Sequence, residues 1–384
     1  MTTPRFLQIH TLHAYSAALL NRDDTGLAKR LPYGGKMRTR VSSQCLKRHW
    51  RWAEGAHDLH AIPGAEKAVR SRDIVSRSVI APLREAFDGE VLDAIEGEFQ
   101  KAVYGEKATS SRQPLLLGYP EVAYLRKQAE AIAREYPSDA KAAGEAAAAF
   151  AKEARANFKQ IREQTALPGG LTAALFGRMV TSDPEANIDA AIHVAHAFTV
   201  HEEETESDYF SVVDDLRGED EDAGAAHIGD AELTSGLFYG YVVVDVPGLV
   251  SNLTGAEASA WETAERDMAA QVVEHLVHLI ATVSPGAKLG STAPYAYAQA
   301  MLVEAGDRQP RSLAGAYRKA CRPLVADALE RMRDHLAALD GAYGNGEARC
   351  AMSLEPVELP ETQIVALPEL ASWAGNAVLN GKAA

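Results

Sequence analysis

Cysteine is scarce: Cys45, Cys321 and Cys350 are the only three in 384 residues, and they stand far apart with no paired metal-ligand spacing. That excludes a disulfide framework or a cysteine zinc site, and it fits a reducing, cytoplasmic setting. No uninterrupted apolar run reaches spanning length, and the opening MTTPRFLQIHTLH lacks a basic start followed by an apolar stretch. Neither a membrane span nor a secretory signal is expected. Gly-x-Ser-x-Gly, a phosphate-cradling Gly-Lys-Ser/Thr loop and a dinucleotide fingerprint are all missing. His193 and His196 form an H-x-x-H pair, but no carboxylate-bearing helix pattern accompanies them, so two buried histidines near a strand are expected rather than a metal centre. The acids Asp214, Asp215 and 219 to 222 lack calcium-loop spacing and read as a solvated loop. No metal or cofactor is expected, and no internal repeat or low-complexity tail is found.

What is present is an ordinary soluble composition, 47% hydrophobic and 24% charged, long enough for one large core or two or three lobes. The net charge of −14 argues on its face against nucleic acid. The average hides an asymmetry. Residues 22 to 51 carry nine Lys or Arg against Asp23 and Asp24, whereas residues 202 to 222 carry eleven acids against Arg217 alone, giving local charges of +7 and −10.

Along the chain, RFLQIHTLHAY reads as a strand, followed by a loop to about Thr39. VSSQCLKRHWRWAE reads as a helix capped by Ser42 or Ser43, with Gln44, Lys47, Arg48 and Arg51 on one side and Leu46, Trp50 and Ala53 opposite. From about His57 to Met179 the sequence turns Ala- and charge-rich, with helices predicted over 120 to 136 and 141 to 164. The second has little bulky apolar surface and should lie largely exposed. A return strand is expected near 192 to 200, then a long acidic segment from His201 to Thr234. GLFYGYVVVDV is a strand at 236 to 246, and Thr254 to Glu257 looks like a capping box opening a helix that runs to Val283. Further strands are predicted at 348 to 354 and 363 to 367. The order strand, helix, strand, strand, helix, strand predicts an α+β, ferredoxin-like RNA-recognition topology split by a helical insertion and a long hairpin-like loop.

The densest chemical signal is NRDDTGLAKRLPYGGKMRTRVSSQCLKR, residues 21 to 48. Guanidinium and ammonium groups neutralise phosphates, Ser and Gln hydrogen-bond backbone oxygens, and Gly34 and Gly35 permit close approach. A merely solvated basic face is the competing reading. Five segments resemble the CasC family: NRDD with YGGK-x-R-x-R-x-SSQ-x-LKR, ALFGRM, VAHAFTVHEEETESDYFSVVDDL and GAKLGSTAPY among them, in the family's order. That family is the repeated crRNA-binding backbone subunit of type I-E Cascade. The resemblance implies a hand-shaped subunit: palm over 1 to 56, 180 to 200 and 236 to 384, helical fingers over 57 to 179, and a thumb over 201 to 235. It implies as partners a CRISPR RNA, the target DNA strand paired to it, further copies of the chain and other Cascade subunits. Carried over residue by residue, RNA contacts fall on Arg22, Lys29, Ser42, Gln44, Lys47, Arg51 and Met179, with Lys288 a further candidate. The acidic tip Gly218 to Asp222 departs from a phosphate-gripping pattern. The chain is expected not to be an enzyme. The competing function is a metal-dependent ribonuclease using Asp23 or Asp24, although both acids adjoin Arg22 and can be explained by ion pairing and loop shaping.

Overall fold

A computed structural model of the chain describes residues 4–105, 114–164, 167, 169–180, 186–212 and 227–380. In chain order the elements begin with β1 (Phe6–Ala18), β2 (Arg30–Tyr33), β3 (Lys36–Val41) and α1 (Ser43–Arg51). β4 (Ala68–Ser71), α2 (Gly89–Tyr104), β5 (Leu115–Gly118), α3 (Tyr119–Glu135), α4 (Ala140–Gln164) and α5 (Gly170–Phe176) follow. Then come β6 (Ile192–Val194), β7 (Ala197–Thr199), β8 (Glu204–Val212), β9 (His227–Asp245), α6 (Val246–Thr254) and α7 (Asp267–Thr282). The chain closes with α8 (Leu289–Thr292), β10 (Ala298–Gly306), α9 (Val325–Tyr343), β11 (Ala348–Ser353), β12 (Thr362–Ile364) and α10 (Leu367–Asn380). The fold is α+β with a large mixed sheet. Two compact units share the chain: residues 1–58, 193–244 and 270–384 form the first, and 59–192 with 245–269 form the second.

In the first unit the strands run β12-β11-β10-β1-β9-β7-β3-β2, with β6 and β8 pairing β9 off that path. β1 pairs antiparallel with β10 from Phe6↔Gly306 onward, and Phe198 of β7 faces Tyr239 of β9. Successive residues of β9 serve opposite faces, as the period of a strand requires. Tyr239 packs with Leu329, Met332 and Leu336 of α9, while Phe238 packs with Val41, Leu46 and Cys45 around α1. Trp50, 3% exposed, anchors α1 on that side. Its burial contributes on the order of 3 kcal/mol.

The sheet also buries charge. His10 on β1 bonds Tyr239 (2.9 Å) and Glu304 on β10 (3.2 Å), and Glu304 takes hydrogen bonds from Arg311 (2.7 and 3.0 Å) and Arg349 (2.8 Å). Arg349 in turn grips Asp340 of α9 at 2.6 and 2.7 Å. Burial alone would raise the Glu304 carboxyl, but hydrogen bonds from His10 and Arg311 outweigh it and hold the group far below the carboxylate range.

The second unit packs α2, α3 and the amino-terminal part of α4 around Ile95, Phe99 and Leu125. The expectation that 141 to 164 lies largely exposed needs correcting on one face of its amino-terminal part, while the side chains of 154 to 164 lie outside the described residues. Ala143 and Ala147 are fully buried, and Phe150 stacks on Phe99 at 4.9 Å. Alanine gives that helix a flat face that approaches α2 closely, so low side-chain bulk did not mean low burial.

Two other expectations change, and one strand lies where none was expected. The stretch expected as loop up to Thr39 contains the β2–β3 hairpin, turned by Gly34 (φ +62°) and Gly35 (φ +80°). The Thr254 to Glu257 pattern ends a helix instead of opening one: Gly255 is left-handed and its N–H bonds Ser251, closing α6, whose own cap is Asp245. β10 was not predicted, because AQAMLVEAG is apolar without alternation when both strand faces are covered.

Candidate nucleic-acid interface

The segment from Asn21 to Lys29 forms a small closed loop. An isolated bridge joins Arg22 to Ala28, and the Lys29 N–H donates to the Asn21 carbonyl at 3.0 Å. Asp23 holds the loop's shape: its Oδ1 accepts from Thr25 N (2.9 Å), Thr25 Oγ1 (2.7 Å) and Leu27 N (3.0 Å). The Thr25 hydroxyl first, then these amides, lower the acid's pKa. The loop is tied to α1 by the Ser42 N–H, which donates to Asn21 Oδ1 at 2.9 Å, while the Ser42 hydroxyl caps α1 at Cys45 N.

Between this loop and α1 lies an open groove, with Arg22, Asp24, Ser42, Gln44, Arg48 and His49 on its walls and the Gly286-Ala287 turn on its rim. Arg22, Gln44 and Arg48 are exposed. Neither guanidinium has a hydrogen-bond or ion-pair partner among the described residues. The N-terminus of α1 adds a positive dipole end beside Ser42 and Gln44. The groove can therefore hold a chain of phosphates, with two cations and two neutral hydrogen-bonding side chains along its length.

Of the residues singled out in the sequence, Arg22, Ser42 and Gln44 meet in this groove. Arg48, placed on the same helix face but not carried over from the family, joins them. Lys47 and Arg51 are half-buried, do not line the groove and are engaged within the fold, with the Arg51 guanidinium 5.7 Å from the Trp52 ring centre. Lys29 is half-buried at the loop's end. Lys288 sits 5.6 Å over the ring of Phe210. Met179 belongs to the second unit and is 75% exposed, so it is no core filler. Its neighbour Arg178 is buried against Glu121 at 2.7 Å, and Gly177 takes a left-handed φ of +77° with its Cβ position a tight 3.0 Å from the Ile188 carbonyl, two constraints on the backbone that presents Met179.

The cations of the β2–β3 hairpin are paired within the chain. Arg38 is fully buried and donates to the carbonyls of Tyr33, Thr199 and Tyr317 at 3.3, 3.0 and 3.1 Å. Arg30 pairs with Glu203 and Glu232, Lys36 with Glu202 at 2.8 Å, and Arg40 with His196 at 2.9 Å. Gly34 approaches not a ligand but the Arg318 carbonyl, 1.6 Å from where a Cβ would stand. His193 and His196 are both exposed, which corrects the expectation of a buried pair. Among the described residues no group of three or more His, Cys, Asp or Glu side chains converges as metal ligands do.

β8 and the first half of β9 form the hairpin expected between 201 and 235, paired from Glu204↔Ser235 to Val212↔His227. Asp214, Asp215 and Gly218 to Asp222 lie outside the described residues. Sequence reasoning missed Tyr209 and Phe210, which are 66% and 38% exposed there. Phe210 lies across Gly229, whose missing Cβ leaves room for the ring. An aromatic pair amid acids was the available signal.

Fold and groove define an α+β chain with a cation-lined channel at the amino end of one helix. The family model described as CT1975-like protein matches residues 7–373, and the chain belongs to that CasC-like backbone family, as its motifs implied. Among solved structures it is similar to a chain of a "CRISPR RNA-guided surveillance complex, pre-nicking", at 26% identity and TM-score 0.74, over 97% of this chain and 100% of that one. It also shares the fold of a chain of a "CRISPR RNA-guided surveillance complex", at 22% identity and TM-score 0.67, over 97% and 99%. No curated protein matches. Among the described residues no helix is long and apolar enough to cross a membrane.

Proposed function

We propose that this chain is a non-catalytic backbone subunit of a type I-E, RNA-guided antiviral complex in the cytoplasm. It holds the crRNA phosphate backbone in several copies, together with other Cascade subunits, and presents guide bases for pairing with target DNA. The observation that carries the reading is the open groove of Arg22, Ser42, Gln44 and Arg48 on a member of this family. The order β10-β1-β9-β7, with α1 between β1 and β7 in the chain and α7 between β9 and β10, supports an RNA-recognition-like palm. On this reading the second unit supplies the fingers and the β8–β9 hairpin the thumb, with Met179 and the Tyr209-Phe210 pair as surfaces for unstacked bases. Lys29, Lys47, Arg51 and Lys288 act as flanking backbone contacts.

The competing ribonuclease reading rests on Asp23 or Asp24. Asp23 is already engaged by Thr25 and Leu27, which disfavours it as a metal ligand. Incubating the protein with labelled RNA and Mg²⁺ or Mn²⁺ tests this, and cleavage abolished by Asp24→Ala would establish the alternative. For the main reading, the tagged chain is purified from its host and the bound RNA sequenced. Repeat-derived RNAs of uniform length are expected; ordinary messenger fragments would sink the proposal.

A further inference from the structure

Asp24 is out of place in a groove suited to phosphate. It is exposed on the groove wall, yet it has no hydrogen-bond or ion-pair partner among the described residues, unlike the neighbouring Asp23. Arg22, two positions away, does not neutralise it through any such pair. A bare carboxylate beside bound phosphates repels them, so in a subunit that holds RNA without cutting it the placement is productive where the ligand offers a donor. Phosphate and ester oxygens only accept. On a sugar–phosphate backbone the one donor is the ribose 2′-hydroxyl, which DNA lacks. Base amino groups also donate, but a subunit that leaves its bases to pair with another strand cannot depend on them.

We infer that Asp24 is a ribose-reading residue: its carboxylate accepts a 2′-hydroxyl of the strand whose phosphates lie on Arg22 and Arg48, so the groove selects RNA over DNA of the same sequence. The inference rests on the RNA-binding reading above. A charge-assisted hydrogen bond combined with the repulsion it offsets amounts to roughly a tenfold preference per site.

The test compares binding of the full-length chain to one single-stranded sequence made as RNA, as 2′-fluoro RNA and as DNA. The fluorinated strand keeps the RNA-like sugar pucker but has no donor. Wild type is expected to bind RNA about tenfold more tightly than either analogue. Asp24→Ala should weaken RNA while leaving the two analogues unchanged or tighter, because a repelling charge has gone. Asp24→Asn, which keeps an acceptor oxygen, should retain part of the preference, and thermal melting checks that both variants fold. If Asp24→Ala tightens all three strands equally, the carboxylate is only an electrostatic brake and the inference fails. Equal binding of RNA and 2′-fluoro RNA by wild type overturns it as well. Binding of no nucleic acid at all by wild type would instead remove the RNA-binding reading itself.

Discussion

From Arg30 to Arg40 the β2–β3 hairpin turns its cations toward partners in the same chain, whereas loop 21 to 29 and α1 leave Arg22 and Arg48 on an open groove. In sequence the two stretches form one basic run. Geometry separates them: Lys36, Arg38 and Arg40 share one face of a strand by its period of two, and that face meets Glu202, the carbonyls of Thr199 and Tyr317, and His196. On α1 the period of 3.6 puts Gln44 and Arg48 toward the loop. A count of cations is thus a poor footprint for a polyanion until their partners are known. Part of the acidic run answers part of the basic one, since Glu202 and Glu203 pair with Lys36 and Arg30.

The contrast is most sharply tested at Arg38. Arg38→Met keeps similar bulk but removes the donors to three carbonyls, those of Thr199 and Tyr317 buried, and it should cost about 3–5 kcal/mol in urea denaturation. Unchanged stability would break the comparison at its firmest point.

The buried Glu304 network extends that contrast into the core and makes it depend on pH. His10 and Glu304 both have folded-state pKa values below their ordinary 6.5 and 4.5, His10 chiefly through burial. Each contribution is therefore complete above the ordinary value and fades as pH falls beneath it. Stability should decline on acidification from pH 7, more steeply below about 4.5. Glu304→Gln should be less stable at neutral pH and lose the steeper part. A wild-type stability that rises on acidification would contradict the network.

A smaller effect is expected at Arg30, whose guanidinium is partly exposed between Glu203 and Glu232. Arg30→Ala should cost about 1–2 kcal/mol, and less at high salt. Loss that is insensitive to salt would mean packing, not charge, is responsible.

The sequence made some of this legible for physical reasons and hid the rest. β1, α1 and its Ser42 cap were readable because they follow local rules, periodicity and capping. The hairpin was not, because Tyr33-Gly34-Gly35-Lys36 looks like a flexible loop until Gly34 is seen passing the Arg318 carbonyl. β10 and the packed face of α4 depend on what covers them, which lies far off in sequence. In the groove, Arg22, Ser42 and Gln44 came from motif resemblance. Arg48 needed coordinates, because only the fold of loop 21 to 29 decides which side of α1 is open.

The smallest effects should come from the two sides of α1. Arg48 is exposed on the groove, so Arg48→Ala should change stability by no more than about 0.5 kcal/mol. Yet if a phosphate sits there, the slope of log affinity against log salt for single-stranded RNA should flatten by roughly 0.7. Affinity should fall alike for all sequences, since phosphate contacts position a strand without reading its bases. Lys47→Ala with Arg51→Ala removes the half-buried cations off the groove. If the family's contacts hold here as well, that pair flattens the slope by about twice as much. If the groove alone carries the strand, the pair leaves the slope unchanged and only Arg48→Ala moves it. Salt titrations of all three proteins, with circular dichroism as the folding control, separate these cases. An unchanged slope in both variants would leave Arg48 a solvated surface cation and Lys47 and Arg51 contacts internal to the fold.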